Sequence, residues 1–190
     1  MGNVILSITM SLDGYVAGPD ITEENPLGVH GPLLHRWIFD DKQKEDELIL
    51  DDFVQQCGAV ILGSTTYKTA IDGAWGGKSP FEAPAFVLSH SPDLIVRDGF
   101  TSINNGIESA LFHASSVAGD KNIWIMGGAS VAQQYLYGGM LDELHLHIAP
   151  VILGNGAYLF KRYELQPLPL IKFKTIETKG ASHLFYKMVK

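Results

Sequence analysis

Asn122-Ile123-Trp124-Ile125-Met126-Gly127-Gly128-Ala129-Ser130 is a short apolar run that stops at a glycine pair and enters a helix-compatible stretch reaching about Tyr137. A run of this length bounded by glycine reads as a strand buried on both faces. The same grammar occurs upstream. Ala59-Val60-Ile61-Leu62 closes on Gly63 and continues into Ser64-Thr65-Thr66, and Ala85-Phe86-Val87-Leu88 closes on Ser89-His90. Helical stretches fall between, from about Lys42 to Gln56, with Leu48, Ile49, Phe53 and Val54 as an apolar stripe among acids, and from Gly106 to Val117. Short buried strands alternating with helices predict a mostly parallel sheet covered on both faces.

Outward from this centre, Asn3–Thr9 is a further buried strand that runs into the turn Ser11-Leu12-Asp13-Gly14. Residues Gly18 to Pro32 carry three prolines and three glycines, which predicts a long loop, either a functional lid or an ordered surface segment. The last third changes character. Leu141–Ala149, Ile171–Glu177 and Ser182–Val189 read as strands with no helix between them, and Thr178-Lys179-Gly180 is a hairpin signal. The expected architecture is an α/β fold, a mostly parallel central sheet with helices on both faces and a C-terminal antiparallel hairpin, in a single domain over residues 1–190.

Composition limits the function. Of 190 residues, 46% are hydrophobic and 18% charged, the balance of a globular chain with a sizeable core. Fourteen basic against 21 acidic residues give a net charge of −7, which disfavours nucleic-acid backbones and anionic membranes as partners. A small anionic cofactor stays compatible, because backbone N–H groups at helix N-termini hold phosphates without net positive charge. The one cysteine, Cys57, rules out an intrachain disulfide and reads as a small buried filler. Val4–Ile8 is too short for a signal sequence and no run is long enough to span a bilayer, so the expected location is cytoplasmic.

Two strand ends carry the residues that chemistry would use. Gly63 with Ser64, Thr65 and Thr66, and Gly127-Gly128 with Ser130, each combine close backbone approach with hydroxyls and first-turn N–H groups. Two such ends on one sheet edge suit the phosphates of a dinucleotide, and the same residues also serve simply to turn the chain and cap helices. The Rossmann fingerprint is missing: Gly154-Asn155-Gly156 lacks the third glycine, and Pro167 and Pro169 leave no room for its helix. His145-Leu146-His147 places two imidazoles on one strand face, but no acid or thiol completes a ligand set in sequence, so no metal is expected. No nucleophile elbow, zinc-protease motif or P-loop is present.

Ser11-Leu12-Asp13-Gly14 after a strand, Leu62-Gly63-Ser64-Thr65-Thr66-Tyr67, Ile125-Met126-Gly127-Gly128-Ala129-Ser130, and Leu141-Asp142-Glu143-Leu144 leading to Ala149-Pro150-Val151-Ile152-Leu153-Gly154 together resemble the dihydrofolate reductase-like superfamily. Within it they resemble the branch related to the C-terminal reductase domain of bifunctional riboflavin-biosynthesis deaminase/reductase proteins, over Asn3 to Val189. The resemblance implies an NADPH-dependent oxidoreductase that passes a hydride to a small heterocycle, pterin-like or pyrimidine-like, as in 5-amino-6-(5-phosphoribosylamino)uracil reductase domains. It implies cofactor contacts at Gly63, Ser64, Thr65, Thr66, Gly127, Gly128, Ala129 and Ser130, at Ser89 and His90 on the adenosine side, and at Ala17 and Gly18 over the nicotinamide. It also implies a homodimer, with the apolar strand Leu141–Ile152 as the edge to be covered.

One position departs from the branch. Members that reduce the riboflavin-pathway pyrimidine carry Glu before the glycine pair, where this chain has Met126, whose side chain is no partner for a substrate N–H. Candidate acids are Asp13, with a turn-forming role as its alternative, and the helix acids Asp46, Asp51 and Asp52, of which Asp52 is taken forward. His35-Arg36-Trp37 follows the long loop and forms either a substrate wall, with Arg36 gripping an anionic group and Trp37 stacking, or an ordinary surface contact. The competing reading is a non-catalytic nucleotide-binding or sensor protein on the same fold, and Met126 keeps it open.

Overall fold

The structure is a computed structural model that describes residues 2–160 and 167–189. Its elements run β1 (Val4–Ser11), β2 (Tyr15–Ala17), a 3-10 turn (Gly31–His35), α1 (Arg36–Phe39), α2 (Lys44–Gln56), β3 (Cys57–Gly63), α3 (Ser64–Ala70), β4 (Ala85–Leu88) and β5 (Phe100–Ile103). They continue with α4 (Ile107–Ala118), β6 (Asn122–Gly127), α5 (Ala129–Tyr137), β7 (Glu143–Ala149), β8 (Ala157–Tyr158), β9 (Leu170–Glu177) and β10 (Ser182–Met188). Eight strands form one sheet in the order β5-β4-β3-β6-β1-β7-β10-β9, and β2 pairs with β8 in a small ribbon. Neighbours from β5 to β7 run parallel, and β10 and β9 are added antiparallel. This is the α/β architecture expected from the alternation of apolar runs and helices.

The two faces of the sheet are filled differently. On one, Leu6, Ile61, Ile125 and Leu144 pack against α4 and α5, where Ala110, Ala114 and Ala118 form a stripe of small side chains that lets α4 lie close. On the other, Val60, Leu62, Val87 and Phe100 pack with Tyr67 and Trp75 under the β3–β5 half. The remaining half of that second face carries Ser7 and Thr9 of β1, His145 and His147 of β7, and His183 of β10. Polar side chains occupy positions where core would otherwise be, and helix α2 stands over them.

Three expectations change. Leu141–Ile152 is not an edge: β7 lies between β1 and β10, which satisfy it on both sides, and the exposed edge beside them is β9, with Ile171 and Phe173 in solvent. Helical turns fill the stretch between the long loop and α2, and Gly31–His35 and Arg36–Phe39 turn Leu34 and Trp37 into the core. Phe100–Ile103 becomes a strand by pairing with β4, although Thr101 and Ser102 give it no continuous apolar run. The long loop itself is tied down: Gly18 N–H donates to Leu27 O (2.9 Å) and Val29 N–H to Pro19 O (2.8 Å). A Cβ at Gly18 would overlap the Val29 carbonyl, so the crossing needs glycine. The hairpin closes as expected, with Thr178 N–H on Ala181 O at 3.0 Å. Among the described residues no helix is long and apolar enough to cross a membrane.

Candidate functional site

A cavity of about 420 Å³ runs along the carboxyl ends of β3, β4 and β6. Ala17, Gly63, Ser64, Thr65, Thr66, Ser89, His90, Gly128, Ala129 and Ser130 all line it, so residues far apart in sequence meet in one cleft. Gly18 and Gly127, their chain neighbours, do not line it. Parallel pairing produces this convergence, because it brings the strand-end turns to the same sheet edge. Helix α5 begins with no side-chain cap, which leaves its first-turn N–H groups facing the cleft. Gly128 N–H donates to Thr66 Oγ1 (3.0 Å), joining the two turns, and Gly127 holds φ +110°, a conformation that favours glycine. Replacing Thr66 by Val orphans the Gly128 N–H and is expected to cost about 1–2 kcal/mol in thermal denaturation, whereas Thr66→Ser keeps the acceptor.

Beside it a second cavity, about 830 Å³, lies between α2, the Gly31–Phe39 segment and the polar half-face of the sheet. Its floor is Ser7, Thr9, Trp124, Met126, His145 and His147, and Phe53 of α2 closes on Trp124 with ring centroids 5.3 Å apart. Ile8, Thr9, His35 and Met126 line both cavities, so the two are contiguous there. At this junction His35 Nδ1 is buried and makes no well-formed hydrogen bond. Burial pushes its pKa below the ordinary imidazole range, against the smaller opposing effect of the Gly31 backbone.

A hydrogen-bonded chain leads away from the floor. Ser7 Oγ lies 3.1 Å from His147 Nε2, His147 Nδ1 lies 2.8 Å from His183 Nδ1, and His183 Nε2 lies 2.8 Å from Asp46 Oδ1. Asp46 is fully buried on α2, and its Oδ2 accepts the Gln43 N–H at 2.8 Å, completing a capping box. Gln43 Oε1 in turn accepts the Lys179 N–H of the hairpin at 2.9 Å. Trp37 covers the two imidazoles, with centroids 4.8 and 4.9 Å away, and donates Nε1–H to Thr9 Oγ1 at 3.2 Å.

Burial pushes His147 well below the ordinary value, and neighbouring imidazoles add to the shift. His183 is also lowered by burial, with Asp46 and Glu177 opposing, and His145 is lowered by burial with Glu143 opposing. Four imidazoles are thus harder to protonate in the fold than in the unfolded chain, which takes up protons near pH 6.5. Stability is therefore expected to hold above that pH and to fall as the pH drops through it. The loss is up to about 1.4 kcal/mol per pH unit for each histidine and is read from the melting temperature between pH 8 and 5.

The other expected site residues separate. Of the helix acids, Asp46 is the buried one, while Asp52 stands at the exposed rim of the larger cavity and accepts from Gln56 Nε2 at 2.6 Å. Asp13 lines neither cavity; its two oxygens accept the N–H groups of Leu153 (3.0 Å) and Gly154 (2.7 Å) and fasten the turn after β7. Trp37 faces inward, but Arg36 points out to Asp41 at 2.6 Å. Arg97 is paired to Asp72 at 2.8 Å. Cys57 is half-buried, and burial raises its thiol pKa, which suits a filler. His35 belongs to the segment expected as a substrate wall, whereas nothing adjacent in sequence marks His183. Among the described residues no group of three His, Cys, Asp or Glu side chains is arranged to hold a metal.

Comparison with known proteins agrees with this architecture. Uncharacterized protein YwjB of Bacillus subtilis (strain 168) is 29% identical over 157 residues, covering 82% of this chain and 81% of that protein. A Shewanella sp. PV-4 protein assigned to riboflavin biosynthesis superposes with a TM-score of 0.76 at 19% identity, over 99% of each chain. The dihydrofolate reductase of Enterococcus faecalis, in complex with NADP(H), superposes with a TM-score of 0.64 at 12% identity, over 98% of this chain and 97% of that one. The model of the RibD C-terminal domain matches residues 3–185, and on that match, with a dihydrofolate reductase-like fold beneath it, the chain belongs to the RibD C-terminal domain family.

Proposed function

We propose that the protein is an NADPH-dependent reductase that delivers a hydride to a small, flat heterocycle bearing a C=O or C=N bond, pterin-like or pyrimidine-like. The observation that carries this reading is the meeting of two cavities of different character at Ile8, Thr9, His35 and Met126. The narrower one offers what a dinucleotide needs: glycine and hydroxyl turns, and the uncapped N-terminus of α5 for a phosphate. The wider one offers aromatic walls and imidazoles, suited to a flat polar ring. A nicotinamide cofactor would supply the hydride, and this chain's work is to hold the two rings face to face and exclude water. Met126 supplies no polar contact at the junction, so the polar side chains the protein brings there are His35 and Thr9.

Titration with NADPH and separately with NADH, read by tryptophan fluorescence and melting temperature, tests the reading. A ligand of the native state at a hundredfold excess over Kd stabilises by about 2.7 kcal/mol, which is roughly 5–10 °C for a chain of this size. NADPH is expected to give that shift, with NADH weaker. A flat response to both removes the dinucleotide site, and binding without turnover across a panel of pterins and pyrimidines gives the sensor reading instead. A homodimer belongs to the same proposal, now through the β9 edge, where Ile171 and Phe173 are exposed. A monomeric mass at micromolar concentration would refute it.

A further inference from the structure

We propose that Asp46, His183, His147 and Ser7 form one proton relay, which stores a proton at His183 and presents it to the larger cavity through the Ser7 hydroxyl. The inference rests on the reductase reading for its use, and on the hydrogen-bonded geometry for its existence. The donors and acceptors fix each other. Asp46 as a carboxylate only accepts, and its Oδ2 is engaged by Gln43 N–H, so His183 Nε2 carries the hydrogen between them. The contact between the two Nδ1 atoms, 2.8 Å, requires one hydrogen. With both rings neutral it sits on His147, because His183 has already spent its own on Asp46. His147 Nε2 is then a bare lone pair, and the Ser7 hydroxyl donates to it. In this unloaded state Ser7 shows the cavity only acceptor lone pairs.

One added proton reverses the chain. His147 Nε2 becomes N–H, its Nδ1 loses its hydrogen to His183 Nδ1, and His183 is an imidazolium paired with Asp46. Ser7 Oγ accepts from His147 and turns its own O–H into the cavity. Reduction then balances as follows. A reduced nicotinamide would supply the hydride of the new C–H bond, and the π electrons of the C=N or C=O would move to the heteroatom. That heteroatom takes the Ser7 hydroxyl proton, Ser7 takes the His147 Nε2 proton, and His147 Nδ1 takes the His183 Nδ1 proton. The relay ends unloaded and is recharged from solvent when product leaves. The charge moves among Asp46, His183 and His147, residues 0–5% exposed, without a free ion crossing the cavity, and Asp46 supplies the counter-charge where the proton is stored.

The pH dependence follows from all the groups around the two rings: Asp46 on α2, His35 of the 3-10 turn, Glu143 and His145 on β7, and Lys174 and Glu177 on β9. Burial disfavours loading, so the loaded fraction grows as the pH falls, and the proton-dependent rate is expected to rise about tenfold per pH unit while unloaded relay predominates.

The test is ¹⁵N spectroscopy of histidine-labelled full-length protein between pH 9 and 5, without ligand. Expected are His183 protonated at Nε2 and His147 at Nδ1 at high pH, then a tautomer change at His147 and protonation of His183 in a single shared transition. Asp46→Asn is expected to lower the midpoint of that transition. His147 protonated at Nε2 at high pH, or two independent transitions, overturns the relay whether or not NADPH binds. In turnover, Ser7→Ala is expected to reduce kcat on the order of a hundredfold, with NADPH affinity unchanged, with the rise toward low pH lost and with recovery in Ser7→Thr. A wild-type rate and pH profile in Ser7→Ala also overturns it. If NADPH neither binds nor is consumed, the reductase reading fails and the ring-nitrogen spectra alone decide the relay.

Discussion

Asp46→Ala is expected to melt roughly 10 °C below the wild type, the drop for about 3 kcal/mol in a chain of this length. The residue holds three elements at one point. Its Oδ1 takes the His183 Nε2–H at 2.8 Å and its Oδ2 the Gln43 N–H at 2.8 Å, with no part of the side chain in solvent. Removing the carboxylate strands a buried imidazole N–H, at about 1.5–3 kcal/mol for a bond to a charged group. It also removes the box that caps α2, at about 1 kcal/mol. The second effect propagates, because Gln43 loses the partner that orients it toward Lys179 N–H, so the hairpin loosens from the helix. Asp46→Asn keeps volume and one acceptor, and is expected to lose less than half as much. Thermal and urea denaturation of the two variants side by side check this. Equal, wild-type stability in both would mean that α2 is held by other contacts.

Trp37→Ala carries a comparable expected loss, about 3–5 kcal/mol, the range for deleting a buried aromatic. The indole is 1% exposed, lies against His147 and His183, and bonds Thr9 through Nε1. A Cβ placed on Gly180 would come within 2.7 Å of Trp37 Cβ, so the hairpin tip is packed directly on this residue. The indole thus holds α1 to β1 and to the β9–β10 turn, and it keeps water from the two imidazoles. Its loss opens that chain to solvent, which raises both histidine pKa values toward their ordinary range by relieving desolvation. Trp37→Phe keeps most of the packing and loses one hydrogen bond, about 1 kcal/mol. Denaturation midpoints separate packing from bonding, and histidine titration in Trp37→Ala, where the variant folds, reads the desolvation directly. Unchanged titration would mean that other groups shield the rings.

Much of this protein was legible in its sequence, wherever the deciding interaction is local. The apolar runs at Ala59–Leu62, Ala85–Leu88 and Asn122–Met126 had to be buried strands, and Gly63 and Gly127-Gly128 had to end them, because residue type and period act over a few neighbours. Parallel pairing then carried Ser64, Ser89 and Ser130 into one cleft without any further specification. The alternation at His145-Leu146-His147 likewise placed both imidazoles on one face of β7, and both line the larger cavity.

What only the tertiary structure decided is partnership across distance. Asp46 and His183 are separated by 137 positions and His147 and His183 by 36, and no period or motif links them. Asp46, Asp51 and Asp52 look alike on a helix. The first is buried because it faces a sheet whose antiparallel strands bring His183 opposite His147 in register, and the last faces solvent. The same holds for the sheet edge: the alternation along Glu143–Ala149 shows which side chains of β7 share a face, whereas the strand's neighbours are set by where β10 docks. Sequence fixes what each segment must hide, because transfer from water depends on the side chain itself. Which polar groups find each other inside depends on the whole chain closing, since a buried hydrogen bond exists only once both strands and the helix above them are in place.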